Sequence, residues 1–179
     1  MRKHVLILVL FMITAVPLAA KRPVPSGPDS AASQQAAWQQ HQQLTAASEF
    51  HGLQWRAIGP VVQGGRIVDI EVDPDDPYTF YAAYASGGLW KTSNNGVSFE
   101  PLFDDMPSMI MGDIAIDPNN SEVIWVGTGE ANSSRSSYGG MGLFKSADGG
   151  ASWQQMGLAA SDRIARILID PRNSQRVMV

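Results

Sequence analysis

The sequence KSADGGASW, residues 145–153, decides the fold, because each of its key residues has a mechanical role in one tight turn. Ser146 and Asp148 have oxygens that can accept hydrogen bonds from nearby backbone N–H groups, and Gly150 tolerates the positive φ of a tight turn. Trp153 then begins a strand and can bury its ring against a sheet. The stretch therefore predicts a turn, closed by its own polar side chains, between two antiparallel strands.

A second copy of this turn lies earlier in the chain, as KTSNNGVSF at residues 91–99. Its residues equivalent to Ser146, Asp148, Gly150 and Trp153 are, in that order, Thr92, Asn94, Gly96 and Phe99. Two copies at a fixed offset indicate an internal repeat, in which each copy joins the last two strands of one unit.

Short segments with alternating or β-branched patterning, separated by Gly, Pro, Asn and Asp, continue from residue 50 to the end, which is typical of an all-β chain. Three of them end in Asp-Pro and are predicted to be the first strands of three units: residues 69–74, 113–118 and 166–171. The later strands are predicted at residues 79–84, 88–91 and 98–103, at 123–128, 142–145 and 152–157, and from 176 onward.

Four antiparallel strands per unit, repeated every 40–50 residues or so, indicate a β-propeller, whose blades are four-stranded sheets. Stacked hairpins of a sandwich are the alternative, but they would not place the same turn chemistry at the same point of both units. Residues 55–59 match residues 153–157 in their Trp, apolar and Gly positions, which predicts an outer strand that closes the last blade. The expectation is a partial propeller of two blades, part of a third and a closing strand, at the N-terminus of a longer chain.

The segment 1–20 predicts a secretory signal peptide, because Arg2 and Lys3 precede an apolar run and a small-residue end. A membrane anchor is the alternative, but about 14 apolar residues fall short of the roughly 20 that a spanning helix needs. Residues 21–50 are predicted to be a linker, briefly helical around Trp38, and residues 51–179 the propeller. The protein is therefore expected to be secreted or periplasmic, without stable membrane insertion after signal cleavage.

Charge and composition narrow the range of partners. Loss of Arg2 and Lys3 with the signal would take the net charge from −4 to −6, which disfavours nucleic acid. The chain has no cysteine, so neither disulfides nor thiolate metal sites are possible. Its three histidines, His4, His41 and His51, all precede the repeats. No cofactor or metal is therefore predicted.

The Ser-x-Asp-x-Gly-x-x-Trp turn resembles the Asp-box, or neuraminidase-type (BNR) repeat, of sialidases, sortilin-type receptors and xyloglucan-cleaving glycoside hydrolases. The motifs WRAIGP, GGRI and SGGLWKT, within residues 53–103, are similar more narrowly to those of large secreted bacterial proteins with sortilin-like propellers, often labelled glycosyl hydrolases from the repeat alone. The resemblance implies the propeller fold. It does not imply an activity, because Asp-boxes occur in catalytic and non-catalytic propellers.

Successive connections of an up-and-down blade alternate between its two faces, so the Asp-Pro turns and the Asp-box turns share one face. The opposite face receives an insertion around residues 130–139, since equivalent positions of the two units are further apart in the sequence after this point than before it. This insertion contains Asn132, Arg135 and Tyr138, a mixture of polar and aromatic groups suited to a glycan or peptide ligand. A solvated surface loop is the alternative.

Charged residues cluster at the starts of the predicted inner strands, near the central channel of a propeller. There they could bind a ligand or bridge neighbouring blades, and both readings stay open: Arg66, Asp69, Asp113, Arg163 and Arg166.

Glycoside hydrolysis normally requires two carboxylates that face each other across the scissile bond. Glu130 with Asp69 or Asp113 could supply such a pair. However, xyloglucan-cleaving enzymes carry an Asp just before the Gly-Gly of their first blade, where this chain has ASGG at residues 85–88. The Arg-Ile-Pro signature of sialidases is likewise not met by RIV at residues 66–68. The sequence thus favours binding of a glycan or peptide, with glycoside hydrolysis as the alternative.

Overall fold

The structure is a computed structural model that describes residues 31–53, 65–132 and 137–179. The predicted signal peptide, the predicted closing strand at residues 55–59 and the predicted ligand-binding residue Arg135 lie outside the described residues.

The predicted linker contains one helix, α1, which runs over Ala31–Ala47. Alanine and glutamine have high helix propensity, which explains a helix in this uncharged stretch. None of its residues is buried. No helix in the described part of the chain is long and apolar enough to cross a membrane.

The rest of the described chain forms antiparallel sheets that repeat along the sequence. Blade 1 has the strand order β1-β2-β3-β4 and consists of β1 (Ile67–Val72), β2 (Phe80–Tyr84), β3 (Gly88–Thr92) and β4 (Glu100–Pro101). Blade 2 has the order β5-β6-β7-β8 and consists of β5 (Met111–Asp117), β6 (Asn120–Thr128), β7 (Leu143–Ser146) and β8 (Gln154–Gly157). Blade 3 is the pair β9 (Leu168–Asp170) and β10 (Asn173–Met178). The predicted fold class, an all-β partial propeller, is confirmed.

Most predicted strands begin or end up to three residues away from their observed limits, and in two of them the difference has a clear local reason. The fourth strand of blade 1 was expected at residues 98–103 and spans only Glu100–Pro101, paired with Lys91 and Trp90 of β3. It is an outer strand, and Pro101 has no N–H to extend the ladder. In blade 3, β10 begins at Asn173 rather than at residue 176, because Asn173 pairs directly with Asp170 across the turn.

The three Asp-Pro turns share one local hydrogen bond. In each of them the aspartate Oδ1 accepts from the backbone N–H two residues later, at 2.9, 2.9 and 3.0 Å, in the pairs Asp73–Asp75, Asp117–Asn119 and Asp170–Arg172. The aspartate side chain imitates a backbone turn, so the first strand of each blade ends in the same local hydrogen bond. The connections that follow differ, because seven residues join β1 to β2 whereas two join β5 to β6 and β9 to β10.

The blades pack face to face through apolar side chains. Blade 1 supplies Tyr81, Leu89 and Phe103 to a buried cluster that includes Ile114 and Phe144 of blade 2. The rings of Phe103 and Phe144 meet edge to face, with centroids 5.4 Å apart. A second buried cluster joins blade 2 to blade 3 and includes Ala115, Trp125, Leu143, Ile164 and Ile167. Burial of these side chains orients the blades, and with them the loops on both faces of the propeller.

Candidate functional site

The turn that ends β7 is closed by its own side chains. Ser146 Oγ accepts a hydrogen bond from the backbone N–H of Gly150 at 2.9 Å and donates to Asp148 Oδ1 at 2.7 Å. Asp148 Oδ1 also accepts from the backbone N–H of Ser152 at 2.8 Å. The hydrogen bonds from Ser152 and Ser146 lower the pKa of Asp148 to about 2. The carboxylate therefore stays ionised and bonded at any physiological pH.

The turn that ends β3 repeats this arrangement with a neutral side chain. Thr92 Oγ1 accepts from the backbone N–H of Gly96 at 2.9 Å, and Asn94 Oδ1 accepts from the N–H of Ser98 at 2.9 Å. The same oxygens bond the same backbone positions in both blades, so the geometry of the turn does not depend on the charge of Asp148.

Aromatic residues after the turns anchor this face. The indole N–H of Trp153 donates to the backbone oxygen of Leu102 in blade 1 at 2.9 Å, and its half-buried ring lies 5.0 Å from that of Phe103. Phe99 packs edge to face on Phe80, with centroids 5.8 Å apart. Trp153 thus joins blade 2 to blade 1 through a hydrogen bond and a ring contact, so the face that carries the 92–99 and 146–153 turns helps to hold the blades together.

On the opposite face, Arg66 and Glu130 form a two-pronged ion pair between blade 1 and blade 2. Arg66 Nε donates to Glu130 Oε1 at 2.5 Å, and Arg66 Nη2 donates to Glu130 Oε2. Glu130 has no exposed surface. Its hydrogen bonds with Arg66 lower the pKa of the Glu130 carboxyl. The inserted loop therefore begins with a buried carboxylate that bridges two blades.

Two aspartates bridge successive blades from equivalent positions. Asp69 Oδ2 accepts from the backbone N–H of Ile114 in blade 2 at 3.3 Å. Asp113 Oδ2 accepts from the N–H of Ile167, which leads into blade 3, at 2.6 Å, and its Oδ1 lies 3.4 Å from Arg166 Nη1. Burial, and next the neighbouring carboxylate of Asp69, raise the pKa of Asp113 to about 6. Five charged residues near the starts of the inner strands were expected either to bind a ligand or to bridge blades. Four of them are in contacts between blades: Arg66, Asp69, Asp113 and Arg166.

Each carboxylate of the proposed pairs has other partners in the structure. Asp113 is buried and interacts electrostatically with half-buried Asp69, whereas Glu130 is engaged by Arg66. Within residues 31–53, 65–132 and 137–179, no group of three or more His, Asp or Glu side chains could hold a metal ion.

Tyr138 and Arg163 come together at a cleft between the inserted loop and the loop that enters blade 3. The cleft has a volume of about 520 Å³ and is lined by Ala31, Gln34, Ser137, Tyr138, Gly139, Gly140, Asp162 and Arg163. Tyr138 is 56% exposed. Asn132 is exposed outside this lining, and its backbone oxygen accepts from Ser137 Oγ at 2.6 Å. The sequence did not indicate Asp162 as a site residue, because the packing of blade 2 on blade 3 is what brings it to the same cleft as Tyr138.

Comparison with known proteins gives partial structural similarity. No family model matches this chain, and no curated protein sequence matches it. A GH74 enzyme of Niastella koreensis superposes on 56% of the chain with 18% identity and a TM-score of 0.44. An ancestral GH74 enzyme superposes on 66% of the chain with 26% identity and a TM-score of 0.47. The GH74 xyloglucanase from Xanthomonas campestris superposes on 59% of the chain with 16% identity and a TM-score of 0.43. The chain spans 15%, 14% and 16% of the length of these three proteins. The fold assignment rests on the strand order and packing described above.

Proposed function

We propose that this chain is part of a secreted β-propeller that binds a glycan or a peptide on the face opposite the 92–99 and 146–153 turns. The observation that carries this proposal is the cleft in which the exposed ring of Tyr138 stands with Arg163 and Asp162. Five other predicted site residues are in contacts between blades, whereas Tyr138, Arg163 and Asp162 line an open space: Arg66, Asp69, Asp113, Glu130 and Arg166.

The chemistry of the cleft suits a polar ligand that has apolar faces. A tyrosine ring can pack on the apolar face of a sugar or on a peptide side chain, while its hydroxyl remains available for hydrogen bonding. The guanidinium of Arg163 offers several donors, and the carboxylate of Asp162 offers acceptors. A few polar groups around an aromatic surface are what orient a small ligand in a binding site.

The walls of the cleft are fixed by backbone hydrogen bonds, so the ligand would meet a formed surface. Gly140 N–H donates to the oxygen of Asp162 at 2.7 Å, which joins the two walls directly. Glu130 N–H donates to the oxygen of Tyr138 at 3.2 Å, which closes the inserted loop on itself. A surface that is already ordered costs less conformational entropy on binding.

Glycoside hydrolysis is the second candidate, and one observation favours it. The pKa of Asp113 is raised to about 6 by burial and by the neighbouring Asp69, so part of this carboxyl is protonated near neutral pH, as a general acid must be. Against it, Asp113 is buried and accepts hydrogen bonds from blade 3, and Glu130 is fully buried. Binding is therefore the function that the geometry supports best.

Glycan and peptide arrays probed with the protein from its complete reading frame test the proposal. Tyr138→Ala and Arg163→Ala should each weaken binding of any hit about tenfold or more, which corresponds to about 1.4 kcal/mol. The matched controls are Tyr78→Ala and Arg172→Ala, which remove an exposed tyrosine and an exposed arginine beside the Asp-Pro turns of the other face. Equal losses in the variants and the controls, or no loss in either, would overturn the assignment of this cleft.

Incubation of the protein with the glycans that it binds on the array distinguishes binding from hydrolysis. Array glycans should be recovered uncleaved after incubation with the wild-type protein. Release of shorter sugars that stops in Glu130→Gln or Asp113→Asn, with ligand binding preserved, would replace the binding proposal by the hydrolase.

A further inference from the structure

One side of the helix α1 lies opposite the propeller loops without packing tightly against them. Four of its residues, spaced three or four positions apart and therefore on the same side of the helix, line successive clefts: Gln34, Trp38, His41 and Thr45. A helix normally buries one side against its neighbours. No residue of α1 is buried, so the space between this side and the blades stays open.

Three clefts follow one another along this side of α1. The first is the cleft of Tyr138, of about 520 Å³, and it shares Gln34 and Gly139 with a second cleft of about 440 Å³. The second shares Trp38 and His41 with a third of about 390 Å³. The shared walls make the three clefts one groove, which we name the α1 groove. The helix has 17 residues, and a rise of about 1.5 Å per residue gives this groove a length of about 25 Å.

The propeller side of the α1 groove is mostly apolar in its middle and acidic at its far end. Four apolar residues, from the loop before β5 and the segment before β7, line the middle: Pro107, Met109, Ile110 and Met141. At the far end, Asp104 and Asp105 line the same cleft as Trp38. Both aspartates are exposed, and no ion pair among the described residues includes either of them.

The far end has the chemistry that recognises a Lys or Arg side chain. The face of an indole ring attracts a cation, and a carboxylate accepts charge-assisted hydrogen bonds from an ammonium or guanidinium group. Over its whole length the groove has three carboxylates and one guanidinium, so it is acidic at about pH 8, where histidine is neutral: Asp104, Asp105, Asp162 and Arg163. A glycan without amino groups offers no cation to these carboxylates.

We propose that the α1 groove binds an extended peptide, with a Lys or Arg side chain of that peptide between Trp38 and the two aspartates, Asp104 and Asp105. This inference rests on the proposed function, because the cleft of Tyr138 forms the other end of the groove. An extended chain rises about 3.3 Å per residue, so about 25 Å accommodates roughly eight residues. The apolar middle of the groove would contact the side chains between the two ends.

A random library of eight-residue peptides, screened at about pH 8 against the protein from its complete reading frame, tests the proposal. The binders should be enriched in Lys and Arg. Fluorescence anisotropy of the best labelled binder should show binding at least about tenfold weaker for Trp38→Ala and for the double variant Asp104→Asn with Asp105→Asn. Truncation of this peptide to four residues should weaken binding by a similar factor.

The matched control removes the same charge from exposed positions outside the groove, by Asp75→Asn together with Glu100→Gln. It should leave the affinity within about twofold, since only long-range attraction is lost. An equal loss in this control and in the Asp104 and Asp105 variant would assign the effect to overall charge and would overturn the proposal.

Tyr138→Ala distinguishes this proposal from the proposed function. Weaker binding in Tyr138→Ala alone would preserve the binding face and overturn the α1 groove, whereas full affinity in this variant and in the Asp104 and Asp105 variant would overturn both. Binders confined to glycans or to acidic peptides, or no binder in the library, would exclude the basic peptide. Tighter binding after deletion of residues 31–47 would show that α1 competes with the ligand, and would also overturn the groove.

Discussion

Arg66 and Glu130 are 64 positions apart in the sequence, yet they form a two-pronged ion pair that joins the entry of blade 1 to the inserted loop of blade 2. The carboxylate is fully buried, whereas the guanidinium side chain remains 40% exposed. Removal of the charge on Glu130 would leave a polar group in a site built for an anion. The residue that looked most like a catalytic acid is therefore held by a contact between blades.

The first prediction follows from this contact. Glu130→Gln should lower the thermal midpoint more than Glu100→Gln, which neutralises an exposed carboxylate on β4. Because Arg66 lowers the pKa of Glu130, the ionised carboxylate stabilises the fold above its unfolded pKa of about 4.3, and that stabilisation is lost as pH falls through the folded pKa. The gap between wild type and Glu130→Gln, measured by scanning calorimetry, should shrink in acid. A gap that stays constant from neutral to acid pH would contradict the role of the charge.

The second prediction concerns Asp113 and has the opposite sign. Its folded pKa of about 6 lies above the ordinary value, so its contribution is fully present below the unfolded pKa and is lost as pH rises through about 6. Relative to Asp113→Asn, the wild type should therefore lose stability between about pH 4 and pH 7. Denaturant midpoints at several pH values measure this, and parallel curves for the two proteins would disprove it.

The third prediction concerns the aromatic anchor on the turn face. Trp153→Ala removes a half-buried ring and its hydrogen bond to Leu102, and should lower the free energy of unfolding by about 3 kcal/mol. Trp153→Phe keeps an aromatic ring and should cost about 1 kcal/mol, chiefly through the lost hydrogen bond. Chemical denaturation of both variants checks the difference. A loss below about 1 kcal/mol for Trp153→Ala would show that the ring does not hold the blades together.

The fourth prediction compares Gly129, which directly precedes the inserted loop, with Gly139 at its other end. Gly129 has a φ of +90°, and a Cβ there would lie 1.9 Å from the backbone oxygen of Asp162. Gly129→Ala should therefore cost about 3 kcal/mol or more, because neither the backbone angle nor the neighbouring strand entry can adjust cheaply. Gly139→Ala is the matched control, since its nearest contact would be an ordinary 3.7 Å. Similar unfolding midpoints for the two variants would show that blade 3 does not approach Gly129 this closely.

Local chemistry made much of the fold predictable. The side chains of Ser146 and Asp148 accept hydrogen bonds from backbone N–H groups four residues further along the chain, as do those of Thr92 and Asn94. Turns closed over so short a distance can be predicted from the sequence. The helix α1 was foreseen only as a brief turn around Trp38, because its uncharged sequence has no apolar periodicity to mark its limits.

Contacts between blades could not be predicted from the sequence in the same way, because the residues that they join are 45 to 64 positions apart. The repeat placed Asp69 and Asp113 at equivalent points of two strands. It did not show whether their carboxylates face a ligand or the next blade. That choice depends on which backbone N–H groups the packed blades bring within reach, at Ile114 and Ile167.

By itself, the sequence determined the four-strand repeat, the two side-chain-closed turns and the face that receives the insertion, because these depend on local hydrogen bonding and on strand alternation. The tertiary structure alone decided that Glu130 is buried against Arg66 and that Tyr138 meets Arg163 and Asp162 at a cleft. The physical reason is that burial and pairing are set by how one blade packs on the next, and packing joins residues whose spacing in the chain carries no signal.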